Sequence, residues 1–350
     1  MISVAAFTTG RNVPASRFRV RQYIEALKQY GVELSEFYPR AGGYPPEQKW
    51  MRPFWAAASL AGRVPDIARS FRYDVTLLQR EMLSTFLTLE PLTKRPRVLD
   101  VDDAIWLNRG SSFARKLARI SDSVICGNSF LAEYFRQWNA NITILPTAVD
   151  TKRFFPLKSV PSGDSPVIGW SGNRSGFEDL KMIEGALRTV LMKYPKARLR
   201  VMADERPALD VPTHQLEFVP WSPQVEVHTF QSMDIGIMPL RDTLWSRGKC
   251  SYKMLLYMSC GVPVVVSPVG MNAEILEMAS VGHAATTADD WIAALEAFIE
   301  DPKLAAARGE QGREVALKGF SIEALAGKLA AELLHVAAHE SKATSHKANP

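Results

Sequence analysis

The stretch from Ser246 to Glu274 (SRGKCSYKMLLYMSCGVPVVVSPVGMNAE) constrains the fold of this chain more than any other. Met254, Leu255, Tyr257 and Met258 recur at roughly helical spacing, Ser251 stands at a helix start, and Gly261 falls where a left-handed C-cap would sit. Val262 to Ser267 is then a short β-branched run, the pattern of a strand buried on both faces. Pro268 and Gly270 close it, and a second helical pattern starts near Asn272. Helix, buried strand and helix in this order form one unit of a parallel α/β layer. Lys249 and Lys253 are four residues apart, so a helix beginning at Lys249 would carry both on one side of its N-terminal turn. Such a turn, with its backbone N–H groups, is an anion site. A surface turn with two solvated lysines has the same sequence, and these residues alone do not choose.

The rest of the chain repeats the alternation. Ile2 to Phe7 and Val32 to Phe37 read as strands, joined by a polar loop and a helix from about Arg17 to Tyr30. Asp74 to Gln79, Arg97 to Asp100 and Ser123 to Gly127 follow as strands, and Pro156 to Pro166 is the best linker by composition. Val167 to Trp170 then leads into the turn Ser171 to Gly176. Its glycines and its place between strand and helix suit the approach of a phosphate. Further strands are expected at Arg198 to Met202, Leu216 to Trp221, Asp234 to Leu240 and Val262 to Ser267. Asp289 to Ile299 and Pro302 to Leu317 are amphipathic helices, and a last helix runs from Ser321 to about Ala338. The polar tail, residues 339–350, is expected to be disordered.

At 350 residues the chain has room for two domains with a core each. No apolar run approaches the roughly 20 residues that span a bilayer, and the N-terminus reads as a strand, not a signal peptide. Three cysteines without a CxxC indicate neither a disulfide framework nor a zinc cluster, which fits a reducing cytoplasm. The net charge of +5 suits phosphate-bearing ligands or an anionic membrane, and no nucleic-acid recognition pattern is present. Within residues 40–72, Trp50, Met51, Phe54 and Trp55 interleave with Lys49, Arg52 and Arg63. An interfacial segment and a buried helix both read this way. Asp100 and Asp102 form a DxD, which can hold a divalent metal, although short acidic strings at strand ends are common.

The string K-x-S-x-K-x-L-x-Y-M-x-x-G-V-P-V-V resembles the donor-site signature of retaining GT-B glycosyltransferases (group 1, family 4-like). The nearer likeness is to the branch with two lysines in place of an acidic donor loop. The lead-in PLRDT and the passage ITILPTAVDTKRFFP are similar to that family as well. The resemblance spans roughly residues 1 to 338 and implies an α/β, GT-B fold of two Rossmann-like domains facing an interdomain cleft. Residues 1–155 would be the acceptor-side domain, with the helix 321–338 crossing back onto it, and residues 156–320 the nucleotide-sugar domain. It implies sugar transfer from a nucleotide-diphosphate sugar to a glycan or lipid-linked glycan hydroxyl, with retention, in surface polysaccharide assembly. No metal or other cofactor is expected.

Site residues carry over position by position. Lys249, Ser251, Lys253, Gly172, Asn173 and Arg174 would hold the donor diphosphate, and Glu274 a sugar hydroxyl. Asp102 and Asp103 match a D-x-D-D at a comparable strand end and are the catalytic candidates. Arg17 and Arg19 would stand on the acceptor side, where a purely structural role fits them equally. The family helix carries a glutamate before its tyrosine to grip the ribose, and here that position is Leu256. A degenerate protein that binds nucleotide-sugar or glycan without transfer is therefore the alternative. A dehydrogenase is disfavoured, since no G-x-G-x-x-G follows the first strand. The expected location is cytoplasmic, with peripheral attachment to the inner membrane face through Trp50–Val64.

Overall fold

The computed structural model describes all residues except 12, 44, 84–85, 108–110, 158–164 and 348–350, with side chains to His339. The chain divides into two compact units. The first comprises Met1–Ala148, Gly248–Cys250 and the C-terminal helix from Ile322; the second comprises Val149–Arg247 and Ser251–Ser321. Most of the linker expected at Pro156 to Pro166 lies outside the described residues.

The first unit holds a parallel sheet of β1 (Ile2–Phe7), β2 (Val32–Phe37), β3 (Val75–Gln79), β4 (Arg97–Val101), β5 (Ser123–Cys126) and β6 (Ile142–Ile144), in the order β2-β1-β3-β4-β5-β6. Its central strands are apolar without alternation because helices cover both faces. Val4, Ala6, Leu77, Val98 and Ile125 form one core with Leu325, Leu329 and Leu333 of the last helix. Glu332 of that helix accepts hydrogen bonds from Ser123 on β5 and from Thr143 on β6 at 2.7 Å. The helix backbone continues to Lys347, past the end expected near Ala338; alanine, glutamate and lysine in this stretch all favour helix. The single helix expected from Arg17 to Tyr30 is broken instead. A helix Pro14–Arg19, a 3-10 turn Arg21–Tyr23 and a helix Ile24–Lys28 replace it, with Val20 out of helical geometry at φ −128°.

The second unit holds β7 (Val167–Ser171), β8 (Arg198–Ala203), β9 (Leu216–Pro220), β10 (Ile235–Met238), β11 (Val264–Val266) and β12 (Gly282–Ala284), in the order β12-β11-β10-β7-β8-β9. All its pairings are parallel. Ile168, Trp170, Leu199, Val201, Ile237, Val265, Trp291 and Phe298 make the core. The helix Tyr252–Ser259 is apolar all round and buried throughout apart from its first two residues. Gly236 on β10 is where it approaches the sheet, since a Cβ there would lie 2.3 Å from the Tyr257 ring.

Both sheets reverse strand order once, between β1 and β3 in the first unit and between β7 and β10 in the second. Open α/β sheets bind ligands outside the carboxyl ends of the strands at such a reversal.

Candidate functional site

In the second unit the loop after β7 and the helix Tyr252–Ser259 meet at the reversal. The Tyr257 hydroxyl accepts the Ser171 N–H at 3.1 Å and donates to the Ile237 carbonyl at 3.4 Å, tying the helix to β7 and β10. Trp170 is fully buried, and its indole fills the space under Gly172, where a Cβ would fall 2.2 Å from the ring. Gly172 is thus required by contact with Trp170. The Lys253 ammonium stands 4.8 Å from the centre of the same ring, so the indole fixes a cation in the helix's first turn. Ser251 immediately precedes this helix, with its backbone in the left-handed region at φ 49°. Its side chain is 2% exposed, and its Oγ has no hydrogen-bond partner. No side chain caps the helix. The helix start is thus uncapped, with a lysine in its first turn and a buried unpaired hydroxyl beside it.

The remaining donor-side candidates are less committed. Asn173 accepts a hydrogen bond from Ser175. Arg174 is exposed; its N–H donates to Asp204 at 2.9 Å, and its guanidinium pairs with Glu205 at 3.4 Å. Glu274 lies in the first turn of the helix Met271–Met278, which follows β11 through Gly270 at φ 56°. In the same turn Asn272 is fully buried, donates to the Ser267 carbonyl at 3.1 Å and has no partner for Oδ1. A recess of about 1120 Å³ opens at the amino ends of the strands beside Arg200 and Asp234, and none of these candidates lines it.

Lys249 is not on the same helix as Lys253, which corrects the reading of a helix beginning at Lys249. The helix starts at Tyr252, and the left-handed turn at Ser251 separates the two lysines. Gly248–Cys250 packs in the first unit. There the Asn128 amide donates to the Lys249 carbonyl at 3.1 Å, and Cys250 Sγ lies 3.1 Å from the Asp102 carbonyl. A Cβ on Gly248 would come within 2.7 Å of Ala104.

Asp102 and Asp103 follow β4, and Arg80 follows β3. The Arg80 guanidinium lies 3.3 Å from Asp102 Oδ1 and 2.7 Å from Asp103 Oδ2, while the Arg80 backbone N–H donates to the Asp100 carbonyl at 3.0 Å. Arg80 has φ 62°, an uncommon conformation for a residue other than glycine, of a kind that clusters at functional sites. Burial pushes the Asp103 carboxyl up to about 6 against the Arg80 charge; Asp102 adds to the rise, and Lys249 opposes it. Burial pulls Arg80 down, but the charges of Asp102 and Asp103 outweigh it and hold the guanidinium above its ordinary value. Sequence reasoning missed Arg80, and it named Trp170 and Tyr257 only as members of a strand and of a helical motif, not as groups of the site.

Arg19 is not an open acceptor-side cation. It is 2% exposed and grips Asp100 with Nε at 3.0 Å and Nη2 at 2.5 Å, and it donates to the Leu145 carbonyl at 2.8 Å. Burial raises the Asp100 pKa, and Arg19 opposes the rise. With both Asp100 oxygens held by Arg19, Asp100 and Asp102 do not present two open carboxylates to a metal. Among the described residues no three His, Cys, Asp or Glu side chains gather as metal ligands. Arg17 is half-buried, its guanidinium 4.3 Å from the Phe18 ring centre. In the Trp50–Val64 segment Trp50 and Phe54 are each 71% exposed. Trp55 instead donates to the Ala41 carbonyl at 3.0 Å, and Arg63 is buried on the Thr8 and Phe37 carbonyls. Among the described residues no helix is long and apolar enough to cross a membrane.

Two parallel six-stranded sheets, each flanked by helices and each reversing its strand order once, define a GT-B-like fold. Residues 165–301 match the family model for glycosyl transferases group 1. The fold of the chain resembles that of sucrose-phosphate synthase from Thermosynechococcus elongatus, with a TM-score of 0.70 at 17% identity over 96% of this chain and 100% of that one. Anabaena HepE, solved with UDP and glucose, gives 0.69 at 15% identity over 96% and 100%. WaaG, a glycosyltransferase of lipopolysaccharide biosynthesis, gives 0.65 at 13% identity over 94% and 99%. At these identities the likeness is one of fold. A search of curated proteins by sequence returns no match.

Proposed function

We propose that the chain transfers a sugar from a nucleoside-diphosphate sugar to the hydroxyl of a glycan or lipid-linked glycan, with retention at the anomeric carbon. The observation that carries the donor assignment is Ser251, whose buried, unpartnered hydroxyl sits at a left-handed turn opening a helix that has Lys253 in its first turn. UDP and UDP-glucose bound to HepE, a protein of the same fold, support a nucleotide-sugar donor. As the bond from the anomeric carbon to the diphosphate breaks, negative charge grows on the leaving nucleoside diphosphate. Lys253, Ser251 and the backbone N–H groups of that helix, with Asn173 and Arg174 from the loop after β7, stabilise it. Gly172 leaves room for that loop over Trp170, and Glu274 meets a sugar hydroxyl. The new bond forms to the acceptor oxygen, and its proton passes to Asp103, whose raised pKa suits it to take one. Asp102 and Lys249 set the charge around Asp103, and Arg17 serves the acceptor side.

Exposed Trp50 and Phe54 support a peripheral association with an anionic inner-membrane surface, the setting of a lipid-linked acceptor in surface polysaccharide assembly. A second reading, binding without transfer, is kept by Leu256. That residue is 4% exposed where the resembling enzymes place a glutamate, so a ribose contact would have to come from another residue. Consumption of labelled donor separates the two readings. A thermal-shift panel of UDP-, GDP-, ADP- and dTDP-sugars tests the donor assignment. A true donor at about 100 times its dissociation constant stabilises the fold by roughly 2.7 kcal/mol, and no shift with any of them rejects it.

A further inference from the structure

The indole of Trp170, on β7, touches both segments assigned above to the donor diphosphate. It is fully buried, and the edge of its six-membered ring lies under both ends of the loop after β7. A Cβ on Gly172 would fall 2.2 Å from Cη2, and one on Gly176 would fall 3.0 Å from Cζ2, so Asn173 and Arg174 belong to a loop that rests on this ring. Phe177, which opens the helix after the loop, packs its ring 5.8 Å from the indole. The Tyr257 hydroxyl accepts the N–H of Ser171, the residue between Trp170 and Gly172. The Lys253 ammonium stands 4.8 Å from the centre of the Trp170 ring. Lys253 is the second residue of the helix Tyr252–Ser259, where a cation opposes the positive end of the helix dipole. The negative face of an indole, the strongest of the aromatic faces toward cations, offsets that opposition.

We infer that Trp170 is a positioning residue of the donor site, which holds the Lys253 ammonium in place before a diphosphate arrives. Trp170 is covered by the loop and the helix, so it acts through Lys253 and not on the ligand. An ammonium on a flexible four-carbon stem swings into water unless something holds it. Held on the indole face, it has already lost that freedom in the ligand-free protein, and less is lost on binding. The assignment rests on the donor reading and deepens it, because it names the group that preorganises the site.

A double-mutant cycle read by calorimetric titration tests it. UDP, GDP, ADP and dTDP are titrated into wild type, and the tightest of them into Trp170→Phe, Lys253→Met and the double variant. Trp170→Phe should weaken binding about fivefold in the wild-type background and at most about twofold in Lys253→Met. Phenylalanine holds a cation less well than tryptophan does, and methionine leaves no cation to hold. A ring that only fills the core would weaken both proteins by one factor, so equal losses in the two backgrounds overturn the assignment. A second arm needs no core substitution and covers the case in which Trp170→Phe fails to fold. Replacing every tryptophan by 5-fluorotryptophan thins the negative ring face at nearly constant shape. It should weaken binding in the chain that keeps Lys253 and leave the Lys253→Met protein unchanged; equal effects on both overturn the assignment. Failure of the donor reading shows separately, as binding of none of the four diphosphates by the wild type, and it overturns the whole site.

Discussion

The Arg80 guanidinium lies 2.7 Å from a carboxylate oxygen of Asp103, and it reaches there from a backbone in the left-handed region. Such a conformation costs about 1–3 kcal/mol and persists only where its surroundings enforce it. Here it turns the side chain that follows β3 toward the acidic pair that follows β4. Its charge opposes the rise that burial gives the Asp103 carboxyl.

Asp103 should set an acid limb in the activity profile. With its pKa near 6, turnover should rise as pH passes through about 6, and Arg80→Gln should move that limb to higher pH. Asp103→Asn should abolish the limb and lower turnover by about 10- to 1000-fold. Stability moves the other way. The folded value lies above the ordinary 3.8, so the folded state holds more protons and this group's contribution falls as pH rises from 3.8 to about 6. Asp103→Asn should remove that decline and melt no lower than wild type at pH 8, as read in pH-resolved thermal scans. A profile without an acid limb in the wild type would remove Asp103 from the proton transfer.

Arg19 and Asp100 should behave as a structural pair. Arg19→Ala leaves the buried Asp100 carboxylate without its cation and should cost about 3–5 kcal/mol in denaturant unfolding. The double variant Arg19→Met, Asp100→Leu should recover most of this, because packed apolar groups often replace a buried pair at little cost. A large rise in acceptor KM with unchanged unfolding in Arg19→Ala would return Arg19 to the acceptor site.

Leu256→Glu distinguishes a core position from a vacated ribose contact. Leu256 is 4% exposed on a helix buried beyond its first two residues, so a carboxylate there should cost several kcal/mol. Leu256→Met should cost less than about 1.5 kcal/mol. Normal folding of Leu256→Glu with tighter nucleotide binding would contradict this placement.

The fold was legible where burial writes directly into residue type. The apolar runs Val4–Phe7, Val124–Cys126 and Val264–Val266 are all strands, and Gly261 sits at φ 73° as a helix-ending glycine should. The site was legible only along the chain. Lys253 and Gly172 stand out in sequence, but the indole of Trp170 that links them does not, since a tryptophan in a strand reads as core. Lys249 and Lys253 look like one motif, and a single left-handed residue, Ser251, parts them. Arg80 gave no signal, because its role depends on its φ and on carboxylates contributed by the next strand. Arg19 carried equal structural and functional readings, and its contact with Asp100, 81 positions away, decides for structure.

The membrane reading rests on Trp50 and Phe54, not on Trp55 or Arg63, which bond inward. Wild-type protein should cosediment with phosphatidylserine vesicles and release as salt rises. Trp50→Ser with Phe54→Ser should abolish cosedimentation without lowering the melting temperature. Equal recovery with neutral vesicles, or none with either, would count against it.

The most direct test of the donor site is calorimetric titration of wild type, Ser251→Ala and Lys253→Ala with UDP, GDP, ADP and dTDP. One of the four should bind the wild type. Lys253→Ala should weaken that binding by roughly 1.5–3 kcal/mol, the scale of a hydrogen bond to a charged group. Ser251→Ala should weaken it by about 1 kcal/mol while leaving the ligand-free protein at least as stable, because the lost hydroxyl has no partner there. Binding of none of the four, or equal affinity in all three proteins, would contradict the donor site proposed at Ser251 and Lys253.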